Sequence, residues 1–374
     1  MPFAYPFGIE EEYFLVDAVT KAVAREMPAA FLDDVRQASA GQVKGEFLQS
    51  QLEAITVPHT SMAEARAELK KLRRTAAEVA ARHGLAILAA GTHPTARWPR
   101  SQQTVEERYD IVMDDLQMIG HRNMLCGLHV HVELPDADDR IDVMSRMLPY
   151  IPLFLALSTS SPFWQTYQTG LKGYRLAAYD ELPRTGVPEL FRRREDYDAY
   201  VEALVRAGVM KDASYIWWAI RPSLQHPTLE LRAPDTCTRA DDAVAIAALY
   251  RAITRALIRD PAFNRDLTPV ERAIVVENKW RAQRYGLGGT FVDIAGAGAI
   301  SVAEMLDQVT ARVEEDAAAL GCRDDLLHCR KIVAAGTSAD IQLAVFEQAL
   351  AGSKSHGEAL RAVTEWIVEA TVSG

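Results

Sequence analysis

The chain has 374 residues, of which 49% are hydrophobic and 25% are charged, a composition that allows a large buried core and excludes a mainly disordered protein. The formal net charge of -10 and the lack of lysine and arginine runs interleaved with aromatic residues argue against a nucleic acid as the main ligand. No linker, low-complexity tract or fixed-period repeat divides the sequence, so we expect a single domain over residues 1–374 with a mostly helical C-terminal third.

Targeting signals are not evident in the sequence. The longest apolar stretch, near residues 147–157, contains two prolines and is too short to cross a bilayer. The N-terminus lacks the basic and then apolar pattern of a signal peptide. We therefore expect a cytoplasmic protein without a membrane partner.

The four cysteines are Cys126, Cys237, Cys322 and Cys329. They show no pairing rhythm and no C-x-x-C motif, which argues against a disulfide scaffold and against a zinc ribbon. Cys322, His328 and Cys329 are close in sequence, but three groups with this spacing make an incomplete structural metal site.

Short strands and one clear helix are predicted in the first half of the chain. Residues 61–83 form an amphipathic helix, since Ser61 and Glu64 have the spacing of a capping box and Gly84 follows the last turn. The apolar patterns predict strands at residues 9–16, 52–57, 85–90 and 128–134.

Helices dominate the rest of the chain. Helical patterns occur near residues 144–158 and 196–207, and a strand-like pair follows at 215–220 and 228–232. From residue 241 onward the sequence is mainly helical, with a second capping box at Ser301 and Glu304 and with breaks at Pro261, the glycine cluster 286–298, Gly321 and Gly336. Strands without regular βαβ spacing, followed by helices, predict an α+β protein with a mainly antiparallel sheet.

Three of the predicted strands combine an apolar face with a face of ligand-type groups. Residues two apart in a strand share a face. By this rule the polar faces carry Glu10 and Glu12, then His129, His131 and Glu133, and then Glu230 and Arg232. One such strand alone could simply face water, but three together indicate a functional site.

Several carboxylates on one sheet face need a compensating cation. At about 5 Å and an effective dielectric constant near 20, each pair repels by roughly 3 kcal/mol. Carboxylates with an imidazole and no organised thiols suit Mg²⁺ or Mn²⁺ better than zinc or copper. Because proteins usually let substrate phosphates complete the magnesium shell, a site this rich in glutamate predicts more than one ion around a nucleotide.

Nucleotide binding would have to occur without the common phosphate loops. Neither G-x-x-x-x-G-K-[ST] nor a strand followed by G-x-G-x-x-G occurs, and Gly286-Leu-Gly-Gly-Thr lacks the lysine and is typical of a loop. Arg221 and Arg232 could instead bind the phosphate oxygens. The alternative is a structural ion pair of Arg232 with Glu230 or Asp235.

Six segments carry a resemblance to a known family. They are Gly8-Ile-Glu-Glu-Glu, Gly45-Glu-Phe-Leu-Gln-Ser-Gln-Leu-Glu-Ala-Ile-Thr-Val-Pro, Gly127-Leu-His-Val-His-Val, Ile220-Arg-Pro, Leu229-Glu-Leu-Arg-Ala-Pro-Asp and Glu277-Asn-Lys-Trp-Arg-Ala-Gln-Arg-Tyr-Gly-Leu. In this order they resemble the carboxylate-amine ligase family related to type 2 glutamate-cysteine ligase, over nearly the whole chain. The resemblance implies a glutamine synthetase-like α+β fold, in which a mainly antiparallel catalytic sheet forms a funnel flanked by helices.

The resemblance also implies roles for individual residues around two or three Mg²⁺ (or Mn²⁺) ions. Glu10, His129 and Glu230 would hold the ion nearest the ATP phosphates. Glu12 and Glu53, with Glu46 close by, would hold the ion nearest the substrate carboxylate. Arg221 and Arg232 would contact the transferred phosphate. Glu46 and Glu53 have opposite parity, so a bend or bulge between them is expected.

The reaction implied is an ADP-forming ligation of the side-chain carboxylate of glutamate to the amine of cysteine through an acyl phosphate. Three alternatives remain open: the same chemistry with another amine, a two-metal hydrolase, and a nucleotide-binding protein without turnover. The family often has an acidic residue in the stretch after Ser161-Pro-Phe-Trp, where this chain has Gln165-Thr-Tyr-Gln-Thr-Gly. This departure, at Gln168 above all, puts recognition of the amino group in question. A homodimer is expected, since two-fold dimers are the commonest oligomers.

Overall fold

The computed structural model describes residues 3–97, 113–114, 116–294, 296 and 298–373. Eleven strands are assigned within these residues: β1 (Phe7–Asp17), β2 (Val43–Gly45), β3 (Gln51–Ile55), β4 (Leu85–Leu88), β5 (Leu128–Glu133), β6 (Phe163–Trp164), β7 (Tyr167–Gln168), β8 (Ile220–Pro222), β9 (Thr228–Leu231), β10 (Thr290–Val292) and β11 (Ala299–Ser301).

Fourteen α-helices are assigned in the same part of the chain. They are α1 (Ala29–Ala38), α2 (Met62–Arg82), α3 (Met118–His121), α4 (Arg140–Met147), α5 (Ile151–Ser158), α6 (Tyr174–Tyr179), α7 (Arg194–Arg206), α8 (Ala240–Arg259), α9 (Pro269–Tyr285), α10 (Val302–Arg312), α11 (Glu314–Ala319), α12 (Arg323–Ala335), α13 (Ser338–Ala351) and α14 (His356–Ser373).

A seven-stranded sheet organises the described residues. Its order is β2-β3-β1-β5-β9-β8, with β4 paired to the far part of β1, and each of these pairings is antiparallel. Two short hairpins, β6–β7 and β10–β11, stand apart from it. The predicted α+β class with a mainly antiparallel sheet is confirmed.

Helices cover the apolar face of the sheet. Tyr13 and Leu15 of β1 pack with Leu72, Ala76 and Val79 of α2 in one buried cluster. A larger core includes most of α8, whose sides are buried nearly all round. The polar face of the sheet is therefore left to form the site, because the opposite face is occupied by core packing.

The apolar stretch at residues 147–157, predicted to be too short to cross a bilayer, lies within a longer helical run, Ala137–Ser158, that is long and apolar enough to do so by length and composition. In this fold 94% of its most apolar window is buried inside the protein. Continuous apolar character around a helix is what a central core position requires. The run packs in the main core, which includes Met144, Leu148 and Phe154.

The strand predicted at residues 215–220 is wrong. A 3₁₀ turn, Ala213–Tyr215, occupies its start, and the strand that pairs with β9 is Ile220–Pro222. The Arg221 guanidinium donates to the carbonyls of Ser214 and Ile216, at 3.2 and 2.8 Å. These carbonyls are thus satisfied by a side chain instead of a neighbouring strand, which a pattern of apolar residues does not reveal.

The capping predictions differ in outcome. Ser301 and Glu304 form the complete capping box. Ser61 caps α2 by accepting a bond from the Glu64 N–H at 3.4 Å, while the Glu64 carboxylate lies 3.8 Å from His59. The predicted glycine-rich break contains a 3₁₀ turn at Gly286–Gly288 and the β10–β11 hairpin; its residues 295 and 297 lie outside the described residues.

Candidate active site

Strand register brings the predicted polar residues to one face. Directly opposite residues in antiparallel strands share a face. The opposed pairs are Glu12 with Glu53, Lys44 with Glu53, Glu10 with His129, His131 with Glu230, and Arg221 with Glu230. All of these side chains, with Glu46 and Arg232, line a cleft of about 430 Å³. The structure thus gathers every predicted site residue in one place.

Two groups within the cleft have the composition of a metal site. Glu10, Glu53 and His129 form one group, and Glu10, His131 and Glu230 form the other, with ligand atoms in each group within 4.8 Å of one another. Glu10 belongs to both. The Nε2 atoms of His129 and His131 are buried and have no hydrogen-bond partner within the described residues. Oxygen donors with one nitrogen fit Mg²⁺ or Mn²⁺.

His131 was not among the predicted ligands, although its parity with His129 placed it on the same face. Its Nε2 lies 3.3 Å from a Glu10 carboxylate oxygen, and its Nδ1 is 2.8 Å from the Thr228 hydroxyl. A hydrogen bond at one ring nitrogen fixes the orientation of the other. Strand parity alone could have identified His131 as a candidate ligand. The roles implied by the family resemblance did not include it.

The backbone just before β5 holds the Glu12 carboxylate in place. A Glu12 carboxylate oxygen accepts a bond from the Gly127 N–H at 2.5 Å, and the other lies 3.9 Å from His129 Nε2. A β-carbon at Gly127 would collide with the guanidinium of Arg175. Glycine at this position therefore lets the Arg175 guanidinium lie against the same backbone that binds Glu12, and a larger residue would displace that guanidinium.

Glu46 and Glu53 reach the same face through a chain reversal. β2 and β3 pair antiparallel, and beyond Gly45 the Glu46 N–H donates to the Gln51 carbonyl at 3.1 Å. The expected break in alternation between Glu46 and Glu53 is present, and it takes the form of a turn that joins two strands. Parity counts only within a strand, because a hairpin restarts the alternation.

Neighbouring charges divide the buried carboxyl groups of the cleft into two electrostatic classes. Burial, with the nearby Glu10 carboxylate, raises the pKa of Glu53 to about 7 despite the opposing Lys44 ammonium at 2.9 Å. Burial and the charges of Glu53 and Glu12 raise the pKa of Glu46 well above its usual range. This side of the cleft has more carboxylates than cations, so a bound cation would be favourable.

The second class, Glu10 and Glu230, is stabilised in the ionised form. Burial alone would raise the pKa of Glu10, but the neighbouring imidazoles of His129 and His131 outweigh it and lower that pKa. Burial is likewise outweighed at Glu230, where the charges of Arg232 and Arg221 hold the pKa well below its usual range. These two carboxylates remain charged at neutral pH.

Both predicted phosphate-binding arginines converge on Glu230. Arg221 donates Nε and Nη2 to its two oxygens at 2.7 and 3.3 Å, and Arg232 forms a second ion pair with it. The predicted alternative of an Arg232–Glu230 pair is therefore present. Asp235 instead accepts bonds from Ser160 and Ser161.

Arg175 is a third guanidinium in the cleft that sequence reasoning missed. It lies in α6, is 2% exposed, and donates to the carbonyls of Arg232 and Pro234 at 3.2 and 3.1 Å. Its Nε has no partner within the described residues. Arg175 sits in a short helix without strand alternation, so no sequence signal pointed to it.

Other candidates lie outside the cleft. Gln168 is exposed in β7 and is absent from the cleft lining. Cys322 and Cys329 are buried free thiols, while His328 pairs with Asp242 at 2.8 Å. None of these three joins either metal-like group in the described part of the chain.

Comparisons with known proteins agree with this geometry. The model of glutamate-cysteine ligase family 2 matches residues 6–365. Relatives from Bradyrhizobium diazoefficiens and Rhodospirillum rubrum, both named "Putative glutamate--cysteine ligase 2", are 54% and 44% identical over 99% of this chain, covering 85% and 96% of their own lengths.

Solved structures share the fold at low identity. The glutamate-cysteine ligase of Francisella tularensis in complex with AMP superposes with a TM-score of 0.71 at 13% identity, covering 99% of this chain and 89% of that one. A bifunctional glutathione synthetase from Pasteurella multocida gives 0.70 at 17% identity, with 98% of this chain matched to 52% of that one. The match over nearly the whole sequence confirms the family predicted from the motifs: the chain belongs to glutamate-cysteine ligase family 2, a family of ligases.

Proposed function

We propose that the protein is a magnesium- and ATP-dependent ligase that joins the side-chain carboxylate of glutamate to the amine of cysteine through an acyl phosphate. The observation that carries the proposal is the cleft in which two metal-like groups share Glu10 and meet the Arg221 and Arg232 guanidinium groups. A free carboxylate is a poor electrophile, so ligation in water must be coupled to phosphoryl transfer from ATP.

Glutamate side chains would hold the ions, and arginines would hold the phosphate. Glu10, Glu53 and His129 would bind one ion, and Glu10, His131 and Glu230 another. Bound Mg²⁺ would neutralise the phosphate oxygens during transfer. Arg232, whose Nε has no partner within the described residues, would donate to the transferred phosphoryl group beside Arg221.

The substrate carboxylate would lie toward the opposite side of the cleft. Lys44 and Arg175 are cations that line the cleft outside the Arg221–Glu230 cluster. They would orient the α-carboxylate of an amino acid whose side-chain carboxylate faces the phosphate. The printed names of the relatives favour glutamate and cysteine as the two substrates.

An apolar end of the cleft would receive the adenine. Trp217 is half-buried, Leu224 is 59% exposed, and both line the cleft with Pro222. The Ile216 carbonyl next to Trp217 accepts from Arg221, which places the indole at the arginine end. Stacking of a base on an aromatic ring contributes about 1–3 kcal/mol.

The test is release of ADP and phosphate from ATP and Mg²⁺ with glutamate alone, with cysteine alone and with both. We expect turnover only with both amino acids, and its loss in Glu53→Gln. Glu133→Gln is the matched control, since Glu133 ends β5 on the same parity and is absent from the cleft lining.

The remaining outcomes separate the alternatives. Turnover with glutamate and a different amine would keep the chemistry and change the second substrate. Hydrolysis of amide substrates without ATP would favour a two-metal hydrolase. Mg-ATP binding without turnover on any pair would favour a nucleotide-binding protein.

We also propose that the protein acts in the cytoplasm as a homodimer. Light scattering after size-exclusion chromatography tests the second part, with the mass of two chains expected. Cell fractionation with an antibody tests the first.

A further inference from the structure

Glu11 lies between two candidate metal ligands and faces away from them. It occupies β1 opposite Ala54 and Leu128 and is fully buried. Arg73 of α2, 1% exposed, donates Nε and Nη2 to its two oxygens at 2.9 and 2.6 Å. The Tyr13 hydroxyl donates to Glu11 at 2.5 Å.

The remaining Arg73 bonds tie β1 to distant parts of the chain. Nη1 donates to the carbonyls of Thr238 and Thr371 at 2.7 and 3.2 Å, and Nη2 also donates to the Cys237 carbonyl at 2.7 Å. Cys237 and Thr238 follow β9 on the way to α8, and Thr371 lies in α14. One guanidinium therefore joins β1, the segment after β9 and the C-terminal helix.

Stability alone is a weak explanation for this buried pair. Removing two charges from water is costly, and a well-packed apolar pair of similar volume is often equally stable or more stable. Fixing one alignment among several is the best-attested role of buried ionic groups.

The alignment that this pair could fix is the register of β1, which is its position along its own axis relative to the neighbouring strands. Alternating polarity decides which face of a strand is buried, so it excludes a one-residue slip. A two-residue slip preserves that alternation, and it would place Ile9 or Tyr13 where Glu11 now lies. Arg73 would then be buried without a carboxylate, which is strongly unfavourable.

The same two-residue slip would disrupt the cleft. Glu10 would no longer lie opposite His129, nor Glu12 opposite Glu53. We propose that Arg73 and Glu11 are positioning residues that fix β1 along its axis and thereby align Glu10 and Glu12 with the groups across the cleft. The metal-binding consequence rests on the proposed function.

The test replaces both charges with apolar groups. Glu11→Leu combined with Arg73→Met removes these partners of the Tyr13 hydroxyl and of the Thr238, Thr371 and Cys237 carbonyls, so the melting temperature should fall. At a temperature where the double variant is folded, it should bind Mn²⁺ about 10- to 100-fold more weakly by calorimetry without substrates. Amide hydrogen exchange of residues 9–13 in metal-free protein should become faster. The matched control is Arg255→Met, which removes a partner of the buried Asp316 far from β1 in sequence and should leave Mn²⁺ affinity unchanged.

Wild-type Mn²⁺ affinity in the double variant overturns the inference, because the pair would then be purely structural. If the double variant does not fold, Arg73→Lys decides by the same measurement, since it keeps the charge and loses the two-pronged geometry. A wild-type protein that binds no Mn²⁺ contradicts the proposed metal site alone. In that case unchanged exchange of residues 9–13 overturns the positioning role, and faster exchange supports it.

Discussion

Glu12 and Glu53 lie directly opposite each other in the β1–β3 ladder, and both side chains face the cleft. Two carboxylates in this arrangement repel each other, and only Lys44 forms an ion pair with Glu53 within the described residues. The free energy of unfolding and the affinity for a cation at Glu12 and Glu53 are therefore coupled.

The first prediction concerns pH. The pKa of Glu53 is raised from 4.5 to about 7, and that of Glu46 is raised as well. A raised carboxyl pKa favours the folded state below pH 4.5, and this contribution is lost as the pH rises through about 7. Metal-free protein should thus lose a few degrees of melting temperature between pH 5 and pH 8.

Mg²⁺ should reverse that trend, because it replaces the protons on the carboxylates. The stabilisation by Mg²⁺ in differential scanning fluorimetry should therefore grow from pH 5 to pH 8. A Mg²⁺ effect that is independent of pH would contradict the coupling. Glu53→Gln should flatten the pH dependence, since it removes the titrating group.

The second prediction concerns the shared ligand. Glu10→Gln removes one oxygen donor from both metal-like groups, whereas His131→Asn affects only one. We expect Glu10→Gln to lower Mn²⁺ affinity at both sites and to reduce kcat by about 10²-fold or more. Isothermal titration of Mn²⁺ measures the number of sites; an unchanged stoichiometry and affinity in Glu10→Gln would contradict the assignment.

The third prediction separates the phosphate-binding role of Arg232 from its ion pair with Glu230. Arg232→Lys keeps a positive charge but loses the planar donor set. We expect kcat to fall by about 10²- to 10³-fold, with a smaller change in the KM for ATP, because the donors act on the transferred group. If the ion pair is only structural, Arg232→Lys should lower the melting temperature and leave kcat of the folded fraction intact.

The fourth prediction concerns the apolar end of the cleft. Stacking on adenine should quench the fluorescence of Trp217 when ADP and Mg²⁺ are added, and Trp217→Phe should abolish most of the quenching. Trp280→Phe is the control, because Trp280 is 47% exposed and does not line the cleft. Equal quenching in the two variants would place the base elsewhere.

Most residues of the candidate site could be predicted from the sequence, because the alternation of faces along a strand is a local property. Glu10, Glu12, His129 and Glu230 could be assigned to polar faces without knowing how the strands pair. His131 was available by the same rule. Glu46 was harder, since the turn that joins β2 to β3 reverses the chain and restarts the parity.

Long-range contacts decided the rest. Arg175 reaches the cleft from a short helix, Arg221 holds the loop that replaced a predicted strand, and Glu11 meets Arg73 across 62 positions of sequence. The sequence by itself determined the fold class, the family and the residue types of the site, because composition, periodicity and motifs are local. Only the tertiary structure decided which charges pair and which remain free for a ligand, because those energies depend on burial and distance between segments far apart in the chain.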